Sequence, residues 1–582
     1  MTGSAQHEDG LRALGREIDE RASGRRAKRG AHARRGGRGP NGGPPGRSGG
    51  GGDRQSGRPH KRRWLRRTLL ITLVVIVVAI GAGAGYGWYL NHKIHRVAVT
   101  GLTTGATSGK DAHTENILMV GSTTRCGLKH QTASYGLCTQ GVTGVNSDVI
   151  MILHLDPQTH SVSILSLPRD LFIPNSRSTG AYKIDAALAQ GPSQLVAAVE
   201  EDFAIPIQHY VELNFDTFAA IVTKLGGITM YFPDPLFDRY AGLRVFTTGC
   251  HHLNGVQALQ VVRARHLQYW VPGQPRTYPY TWPQEAESDL ARITRDHEFL
   301  KVLATKVAHR GLGNPIADAS LVNALAPDLT VDNGFNASDM VHLVLTFHSV
   351  NVTKAPTTTL PVIVDTFGTY VYKGGHYGDV EFPSASADHA TIDSFLGLAP
   401  NANTMTGTPL PKAKTVTVSV LNGTGVTGQA TQTSTALKTL GFNTVGVGNS
   451  TPVGQYSETT VSYAQRTPAD IAAAQLVADS LSGAVILKYG PTADGAQVTV
   501  TTGTNFSVDS SLPGNSLPPS SPATTAPPSG ATAANATYGS TVASRASSTT
   551  GGFTASYPAI TPLTSYDPRA CPPGQVGNSG NW

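Results

Sequence analysis

Cysteine is scarce in this chain, with four among 582 residues: Cys126, Cys138, Cys250 and Cys571. Structural zinc sites need closely spaced pairs of cysteine or histidine, and no such spacing indicates one here. In an oxidising compartment disulfides are permitted, and Cys126 with Cys138, which enclose a short loop, is the pair that we favour. The sequence alone leaves the connectivity open.

Large apolar side chains are rare at both ends of the chain. Residues 1–67 are rich in Gly, Arg and Pro and carry 18 Lys/Arg against 6 Asp/Glu, which predicts a disordered basic arm. Residues 506–582 are dominated by Ser, Thr, Pro, Gly and Ala, which predicts a disordered tail that either spans a cell wall or is an inert linker. The net charge is +7 and the arm alone carries +12, so the rest of the chain is acidic, at −5.

Charged residues are absent from Leu69 to Trp88. Twenty helical residues span about 30 Å, the thickness of a bilayer's hydrocarbon core, so we predict a transmembrane helix over 68–90. Arg66 and Arg67 before it, and Trp88 and Tyr89 at its far end, place the N-terminus in the cytoplasm and the main domains outside. A cleaved signal peptide is the alternative, and it is disfavoured by the long arm that precedes the span.

The basic arm has two interpretations, nucleic-acid binding and attraction to anionic lipid. The adjacent span favours membrane lipid as the partner, and no recognisable pair of DNA-binding helices follows. We therefore expect no nucleic acid. A regulator that acts through DNA is an alternative that salt-dependent DNA binding by residues 1–67 would revive.

Strand-like and helix-like segments alternate beyond the span and predict an α/β layered fold. We divide this part into a connector (91–111), a main domain (112–310), a weaker α/β continuation of that domain (311–410) and a small α/β domain (413–505). In the small domain a Gly-rich turn, residues 422–428, precedes a helix. It lacks the Lys-Ser/Thr of a P-loop, so turn formation is favoured over phosphate binding.

One β-hairpin organises the main domain. Residues 149–155 and 162–167 have strand-like apolar patterns and are separated by a polar turn at Asp156-Pro157. The second strand ends at Arg169 and Asp170, and an antiparallel pairing brings Asp148, which begins the first strand, to the same end of the sheet. Lys183 follows after a short loop, so this edge combines carboxylates with cations.

Further arginines are predicted to reach this region from helix ends. A helix capped by Asn254, with Gln257 as its capping-box partner, ends near Arg263 and Arg265. Arg292 and Arg295 lie about one turn apart on the next helix. Single charges of this kind are usually solvated surface. Converging cations repel one another unless an anion lies between them, and forked guanidinium groups match the oxygens of a pyrophosphate.

The order of these short motifs resembles the LytR-CpsA-Psr (LCP) family over about residues 112–310. The resemblance rests on Asn116–Ser122, Ser147-Asp148, Ser166–Asp170, Lys183–Ala187, Asn214-Phe215, Leu225–Ile228, Leu253–Gly255, Gln257–Leu259, Val262–Arg265 and Asp289–Arg295. Residues 413–505, with Val418–Gly425, resemble the LytR C-terminal domain that is found in actinobacterial members.

The resemblance implies a membrane-anchored phosphotransferase. Such enzymes take a glycopolymer from a polyprenyl-pyrophosphate carrier and attach it to peptidoglycan through a phosphodiester, usually with Mg²⁺. The implied fold is an α/β/α-like sandwich with a central mixed sheet, and a hydrophobic pocket beneath the arginine cluster would hold the lipid chain. Asp148 would be a metal ligand and Arg169 and Asp170 the catalytic pair. The implied pyrophosphate ligands are Arg169, Lys183, Arg263, Arg265, Arg292 and Arg295.

Three positions depart from the family pattern. Thr123 stands where members commonly have a second metal-binding Asp, and Asn146 stands where they often have Arg. Asp296-His297 replaces a Gln pair, and the carboxyl group of Asp296 either supplies the missing metal ligand or repels the substrate. The alternative function is therefore a non-catalytic relative that binds lipid-linked or wall polymer as a scaffold.

Overall fold

The computed structural model describes residues 89, 92–105, 114–126, 128, 137–286, 288–309, 329–347, 350, 354–364, 369–454, 456–513, 563–575 and 577. Within these ranges, none of the helices has the length and apolar character needed to cross a bilayer. The predicted transmembrane helix (68–90) lies outside the described residues except for Tyr89, and the predicted basic arm (1–67) lies wholly outside them.

The elements of the first part of the chain alternate between strand and helix. In chain order they are β1 (His95–Val97), β2 (Glu115–Ser122), β3 (Ser147–Asp156), β4 (Ser161–Ser166), β5 (Phe172–Arg177), β6 (Gly180–Lys183), α1 (Pro192–Phe203), β7 (His209–Leu213), α2 (Phe215–Lys224), β8 (Ile228–Phe232), β9 (Leu236–Asp238), β10 (Leu243–Val245), β11 (Gly249–Leu253), α3 (Gly255–Arg263), β12 (Gln268–Tyr269), α4 (Ser288–His309), β13 (Thr330–Asp332), α5 (Ala337–Phe347), β14 (Thr357–Thr359), β15 (Val362–Val364), β16 (Val371–Tyr372), β17 (Gly375–His376), β18 (Glu381–Pro383) and α6 (Ala385–Phe395).

A seven-stranded mixed sheet forms the centre of this part, with strand order β1-β13-β7-β2-β3-β4-β14. The pairs β2–β3, β3–β4 and β7–β13 are antiparallel, whereas β1–β13, β2–β7 and β4–β14 are parallel. The predicted central mixed sheet is thereby confirmed. Strand β1 lies in the segment predicted as a connector, so that segment contributes an edge strand of the sheet.

The predicted hairpin is confirmed as β3 and β4. Asp156 closes its turn, since the Asp156 Oδ1 accepts a hydrogen bond from the Gln158 amide at 2.8 Å. The core on one side of the sheet contains Leu118, Ile150, Ile152 and Leu165, each at most 1% exposed. This buried hairpin fixes where the chain emerges at Asp148 and at Arg169.

Two helix starts illustrate how local sequence sets the geometry. The predicted capping box of α3 is present, with Asn254 and Gln257 bonding each other's backbone amides. A Cβ atom on Gly255 would lie 2.0 Å from the Ala219 carbonyl oxygen, so only glycine allows α3 to start this close to α2. Helix α1, by contrast, starts at Pro192 without a side-chain cap, and the hydroxyl of Ser193 accepts from the Thr100 amide.

The small C-terminal domain has its own sheet. Its elements are β19 (Thr417–Asn422), α7 (Gln429–Thr439), β20 (Asn443–Asn449), β21 (Thr459–Tyr463), α8 (Pro468–Ala478), β22 (Leu481–Gly483), β23 (Val485–Tyr489), β24 (Val498–Thr502) and β25 (Phe506–Val508). Five of the strands form a mixed sheet in the order β20-β19-β24-β21-β23. Thr467 caps α8 by accepting from the Asp470 amide, and Pro468 occupies the first helical position.

The tail is ordered where it returns to the first part, so the prediction of a disordered tail is wrong for residues 563–575. Strand β26 (Arg569–Ala570) pairs antiparallel with β8. Cys571 forms a disulfide with Cys250, and Cys126 forms one with Cys138. The sequence did not predict this strand, because it follows a long polar stretch between 513 and 563 and too few of its residues carry a strand pattern.

Candidate active site

The end of the hairpin places a cation and two carboxylates side by side. The Arg169 guanidinium contacts the Asp148 carboxylate through Nη1, and its Nε lies 3.5 Å from Asp170 Oδ2. Burial lowers the pKa of Arg169, but Asp148 and Asp170 outweigh that effect and raise it above its ordinary value. Arg169 therefore carries a fixed positive charge at this edge of the sheet.

Asp170 holds two further cations in place. Its Oδ1 lies 2.8 Å from Lys183 Nζ, and its Oδ2 lies 3.0 Å from Arg265 Nη2. Burial alone would raise the pKa of Asp170, yet Arg169 and Lys183 lower it below its usual range. Asp170 is thus an ionised anchor for three cations that come from different parts of the chain.

Asp289, at the start of α4, is a second anchor. Its Oδ1 lies 3.0 Å from Arg265 Nε and 3.2 Å from Arg292 Nη2. Arg292 also donates from Nη2 to the backbone oxygen of Asp148 at 2.7 Å, which ties α4 to the hairpin. From the sequence Asp289 was predicted only as part of a family motif, and its position one turn before Arg292 was the available signal for this role.

An open cleft of about 780 Å³ lies beside these residues. Its lining combines cations with small and polar side chains: Thr123, Arg125, Val142, Gly144, Asn146, Asp148, Arg169, Tyr240, Ala241, Arg263, Arg265 and His266. Asp148, Arg169, Arg263 and Arg265 are thus brought together as predicted, and Lys183 and Arg292 are bonded to their anchors.

Arg125 is a cleft residue that sequence reasoning missed. It donates to the Thr123 carbonyl at 2.9 Å, and its guanidinium lies 5.5 Å from the centre of the Phe215 ring. Arg263 lies over the same ring at 4.5 Å, so Phe215 orients two cleft arginines. The signal was that β2 ends at the edge where β3 starts, which brings Arg125 close to Asp148.

Arg295 is placed elsewhere. Its side chain is 1% exposed and its Nη1 lies 2.7 Å from Glu285 Oε2 and 3.3 Å from Asp567 Oδ1. Its Nη2 donates to the Ala264 carbonyl at 2.7 Å. Arg295 is not among the cleft-lining residues, and its contacts are those of a buried ion pair rather than of a pyrophosphate ligand.

The residues that depart from the family pattern before β3 make hydrogen bonds within the fold. Thr123 Oγ1 accepts from the Asn146 amide at 2.9 Å, and the Asn146 side chain donates to Asp185 Oδ2 at 3.2 Å. Burial raises the pKa of Asp185 to about 6, against the opposing influence of Arg169. These three side chains hold the loop before β3 in place.

The third departure, Asp296-His297, lies under the cleft. Burial raises the pKa of Asp296 to about 7, and neither of its carboxylate oxygens receives a hydrogen bond within the described ranges. Its closest ion-pair contact is Arg292 Nε at 3.8 Å. His297 lies 2.7 Å from the Ser166 hydroxyl, and burial lowers its pKa to about 4, so it is neutral.

The side chains available as ligands determine how the expected magnesium ion could be bound. No group of three or more His, Cys, Asp or Glu side chains is arranged to hold a metal ion among the residues that the structure describes. Mg²⁺ usually takes one or two protein carboxylates and fills its octahedral shell with water and substrate phosphates. Asp148, whose side chain is 20% exposed, fits a Mg²⁺ that binds together with a pyrophosphate. The same set does not fit an ion held by protein alone.

Comparison with known proteins places this arrangement in a family. The LytR_cpsA_psr family model matches residues 91–380, and a second model, described as LytR cell envelope-related transcriptional attenuator, matches residues 415–506. The chain is 30% identical over 277 residues to the probable cell wall biosynthesis protein LcpB of Corynebacterium glutamicum, covering 47% of this chain and 60% of that protein.

The chain is also similar to two further proteins. The teichoic acid transferase TagV of Bacillus subtilis, named as a polyisoprenyl-teichoic acid–peptidoglycan enzyme, is 30% identical over 177 residues, or 29% of this chain and 41% of TagV. A solved LytR-Csp2A-Psr enzyme from Actinomyces oris matches at 26% identity and a TM-score of 0.36, covering 46% of this chain and 88% of that one. The chain belongs to the LytR-CpsA-Psr family and carries a LytR C-terminal domain.

Proposed function

We propose that the chain is a membrane-anchored phosphotransferase that moves a glycopolymer from a polyprenyl-pyrophosphate carrier onto peptidoglycan, forming a phosphodiester. The observation that carries the proposal is the convergence of Arg125, Arg169, Arg263 and Arg265 on one cleft. A cluster of this kind needs an anion to offset its mutual repulsion, and a pyrophosphate offers the matching oxygens. The name of TagV, a transferase that acts on a polyisoprenyl-linked polymer, supports the same chemistry.

The anchored cations would bind the pyrophosphate before any bond changes. Asp170 and Asp289 hold Arg265 between them, and Asp170 also holds Lys183, so these cations are oriented in advance. Preorganised positive charge stabilises the transition state of phosphoryl transfer because little reorganisation accompanies the reaction. The lowered pKa of Asp170 makes it a weak proton acceptor, and in this scheme it acts by positioning the cations.

The transfer step exchanges one P–O bond for another. A hydroxyl oxygen of a peptidoglycan sugar attacks the phosphorus that carries the glycopolymer, while the bond from that phosphorus to the bridging oxygen breaks. The electron pair leaves with polyprenyl phosphate, which takes up the hydroxyl proton directly or through water. Mg²⁺ bound with Asp148 would neutralise charge on the pyrophosphate oxygens.

The membrane anchor and the location are part of the proposal. The uncharged stretch from Leu69 to Trp88 is long enough to span a bilayer, and arginines precede it. In this proposal the main domains, with the cleft, lie outside the cytoplasm. Two disulfides, Cys126–Cys138 and Cys250–Cys571, are consistent with an oxidising compartment.

Turnover by the full-length chain in detergent micelles tests the proposal. The substrates are a synthetic polyprenyl-pyrophosphate oligosaccharide and peptidoglycan, and release of polyprenyl phosphate is measured with and without Mg²⁺. We expect Arg169→Ala and Asp148→Ala to lower kcat/KM by at least about 100-fold, the usual loss for one group that stabilises developing charge. Arg244→Ala, which removes an exposed arginine from β10, is the matched control and should retain wild-type turnover.

A second candidate, a polymer-binding scaffold without turnover, is favoured by one observation. Thr123 replaces the second carboxylate and its hydroxyl is bonded within the loop before β3. Tight binding of the lipid-linked oligosaccharide by wild type, with no polyprenyl phosphate released at any Mg²⁺ concentration, would establish the scaffold and contradict the transferase.

A further inference from the structure

Glu381 lies directly behind the anchored cations, although no family motif in the sequence includes it. It is the first residue of β18, between Val380 and Phe382, which are 1% and 2% exposed. Its backbone amide donates to the carbonyl of Asp170 at 3.0 Å, which fixes this strand to the residue that anchors Lys183 and Arg265. Its own side chain is 8% exposed.

The carboxyl group of Glu381 faces charges from four different segments. These are Asp289 of α4, Asp170 after β4, Lys183 at the end of β6 and Arg265 after α3. Lys183 and Arg265 are already bonded to Asp170 and Asp289.

No donor within the described ranges reaches the buried Oε2 of Glu381. A buried carboxylate without a hydrogen-bond donor is costly, whereas a neutral carboxylic acid is tolerated. Burial, together with the nearby charges of Asp289 and Asp170, raises the pKa of Glu381 to about 8.

We propose that Glu381 is a positioning residue that keeps the pyrophosphate cleft cationic by carrying a proton, and that its ionisation weakens the binding of a pyrophosphate diester. The inference rests on the proposed function, because it concerns the substrate of the same cleft. With Glu381 neutral, the ion pairs within 3.5 Å join four cations to three carboxylates, Arg169, Lys183, Arg265 and Arg292 to Asp148, Asp170 and Asp289, and Asp296 lies farther off, 3.8 Å from Arg292.

Ionisation of Glu381 weakens pyrophosphate binding in two ways. It adds a further negative charge beside the carboxylates that already pair with these cations, so the cleft becomes less cationic. The ionised carboxylate also competes with Asp170 for Lys183 and with Asp289 for Arg265, which turns these cations away from the cleft. Asp185 and Asp296, with pKa values of about 6 and 7, ionise at lower pH than Glu381.

The test is the pH dependence of binding by the full-length chain in detergent micelles. The probe is farnesyl-pyrophosphoryl N-acetylglucosamine, a pyrophosphate diester whose own charge is constant between pH 6 and 10. We expect the wild-type Kd to rise about tenfold across this range with a midpoint near pH 8, the effect of one added unit charge near a partly solvated site. Glu381→Gln keeps the shape of a neutral glutamic acid, so its Kd should stay within about twofold of the wild-type value at pH 6.5.

Two further variants separate the inference from other causes. Glu458 is another buried glutamate, and burial raises its pKa to about 7. It accepts a hydrogen bond from Tyr370, which does not line the cleft, so the pH dependence of Kd for Glu458→Gln should follow wild type. Glu381→Met removes the carboxyl group while filling the site, and if the Gln variant unfolds, the Met variant should likewise lose the rise in Kd centred near pH 8.

The outcomes are distinguishable. Absence of probe binding by wild type at every pH contradicts the proposed function itself. Binding by wild type, with a pH curve that Glu381→Gln and Glu381→Met leave unchanged, contradicts the role of Glu381 alone.

Discussion

Arg265 and Arg295 carry the same charge in very different surroundings. The Arg265 side chain is 25% exposed at the cleft, where Asp170 and Asp289 orient it. The Arg295 side chain is 1% exposed and neutralises Glu285 and Asp567. Removing one partner of a buried ion pair leaves the remaining charges buried and uncompensated. When a partly exposed partner is removed, water solvates the charges that remain.

Substitution of the two arginines should therefore separate folding from binding. We expect Arg295→Ala to lower the free energy of unfolding by about 3–5 kcal/mol, because it leaves two buried carboxylates without their cation. Arg265→Ala should cost about 1 kcal/mol or less but weaken binding of a pyrophosphate probe at least about tenfold. Urea unfolding and probe titration measure the two quantities.

The opposite pattern would restore the role that the sequence suggested for Arg295. If Arg295→Ala keeps wild-type stability and loses only probe affinity, the guanidinium must reach the substrate, contrary to its position in the fold.

At the scale of elements, the returning tail stabilises the helix that carries Asp289 and Arg292. Tyr566 stacks on Tyr269 with ring centres 3.9 Å apart and planes 7° apart. The Ala570 amide donates to Glu298 of α4 at 3.0 Å, and β26 extends the β11-β8 sheet by one strand. Residues 563–575 therefore form part of the folded domain that surrounds the cleft.

The disulfide between Cys250 and Cys571 holds this segment in place. Exchanging both for serine removes a link across 321 residues of sequence, which we expect to cost about 2–4 kcal/mol and to release residues 563–575. Hydrogen exchange should show lost protection in these residues and in α4. The matched control, Cys126→Ser with Cys138→Ser, opens a link across only 12 residues and should leave α4 protected.

Unchanged protection of α4 in the Cys250→Ser, Cys571→Ser variant would contradict this account. It would mean that the strand pairing and the Asp567 ion pair hold the segment without the covalent link.

The features that the sequence predicted well depend on contacts between residues that are close together in the chain. The hairpin turn at Asp156 and the capping box at Asn254 both involve partners within a few residues. Arg295 illustrates the converse, because its partner Asp567 lies 272 residues away, in a stretch too polar to suggest a fold. Glu381 left only a weak signal, a single carboxylate within a short apolar strand.

At the scale of the whole molecule, α6 joins the two domains. Ile392 and Phe395 of this helix lie in the core of the central sheet, together with Ile486 of the C-terminal domain. Arg466 contacts Glu201 of α1, and the Tyr463 hydroxyl donates to the Glu201 carbonyl at 2.9 Å. Because buried side chains are shared across the boundary, we expect the LCP and C-terminal domains to unfold as one unit.

A buried histidine at this junction makes the stability of the molecule depend on pH. His389 of α6 contacts Asp479, which follows α8, through Nδ1, and its Nε2 lies 2.6 Å from the Ala402 carbonyl. That carbonyl only accepts, so Nε2 carries a proton and the Nδ1 proton is held by Asp479. Burial lowers the pKa of His389, but Asp479 outweighs it and the net pKa rises to about 9.

The sign of the effect follows from this rise. A histidine whose pKa is raised in the folded state contributes stability that is fully present below the unfolded pKa of about 6.5 and is lost as the pH rises through about 9. His389→Gln should therefore destabilise the protein by about 3 kcal/mol near pH 6, with the difference from wild type vanishing above about pH 10. Unfolding followed from pH 6 to 10 measures this, with exposed His376→Gln as the control. Parallel pH curves for wild type and His389→Gln would show that the junction holds His389 uncharged and would contradict the charged His389–Asp479 pair.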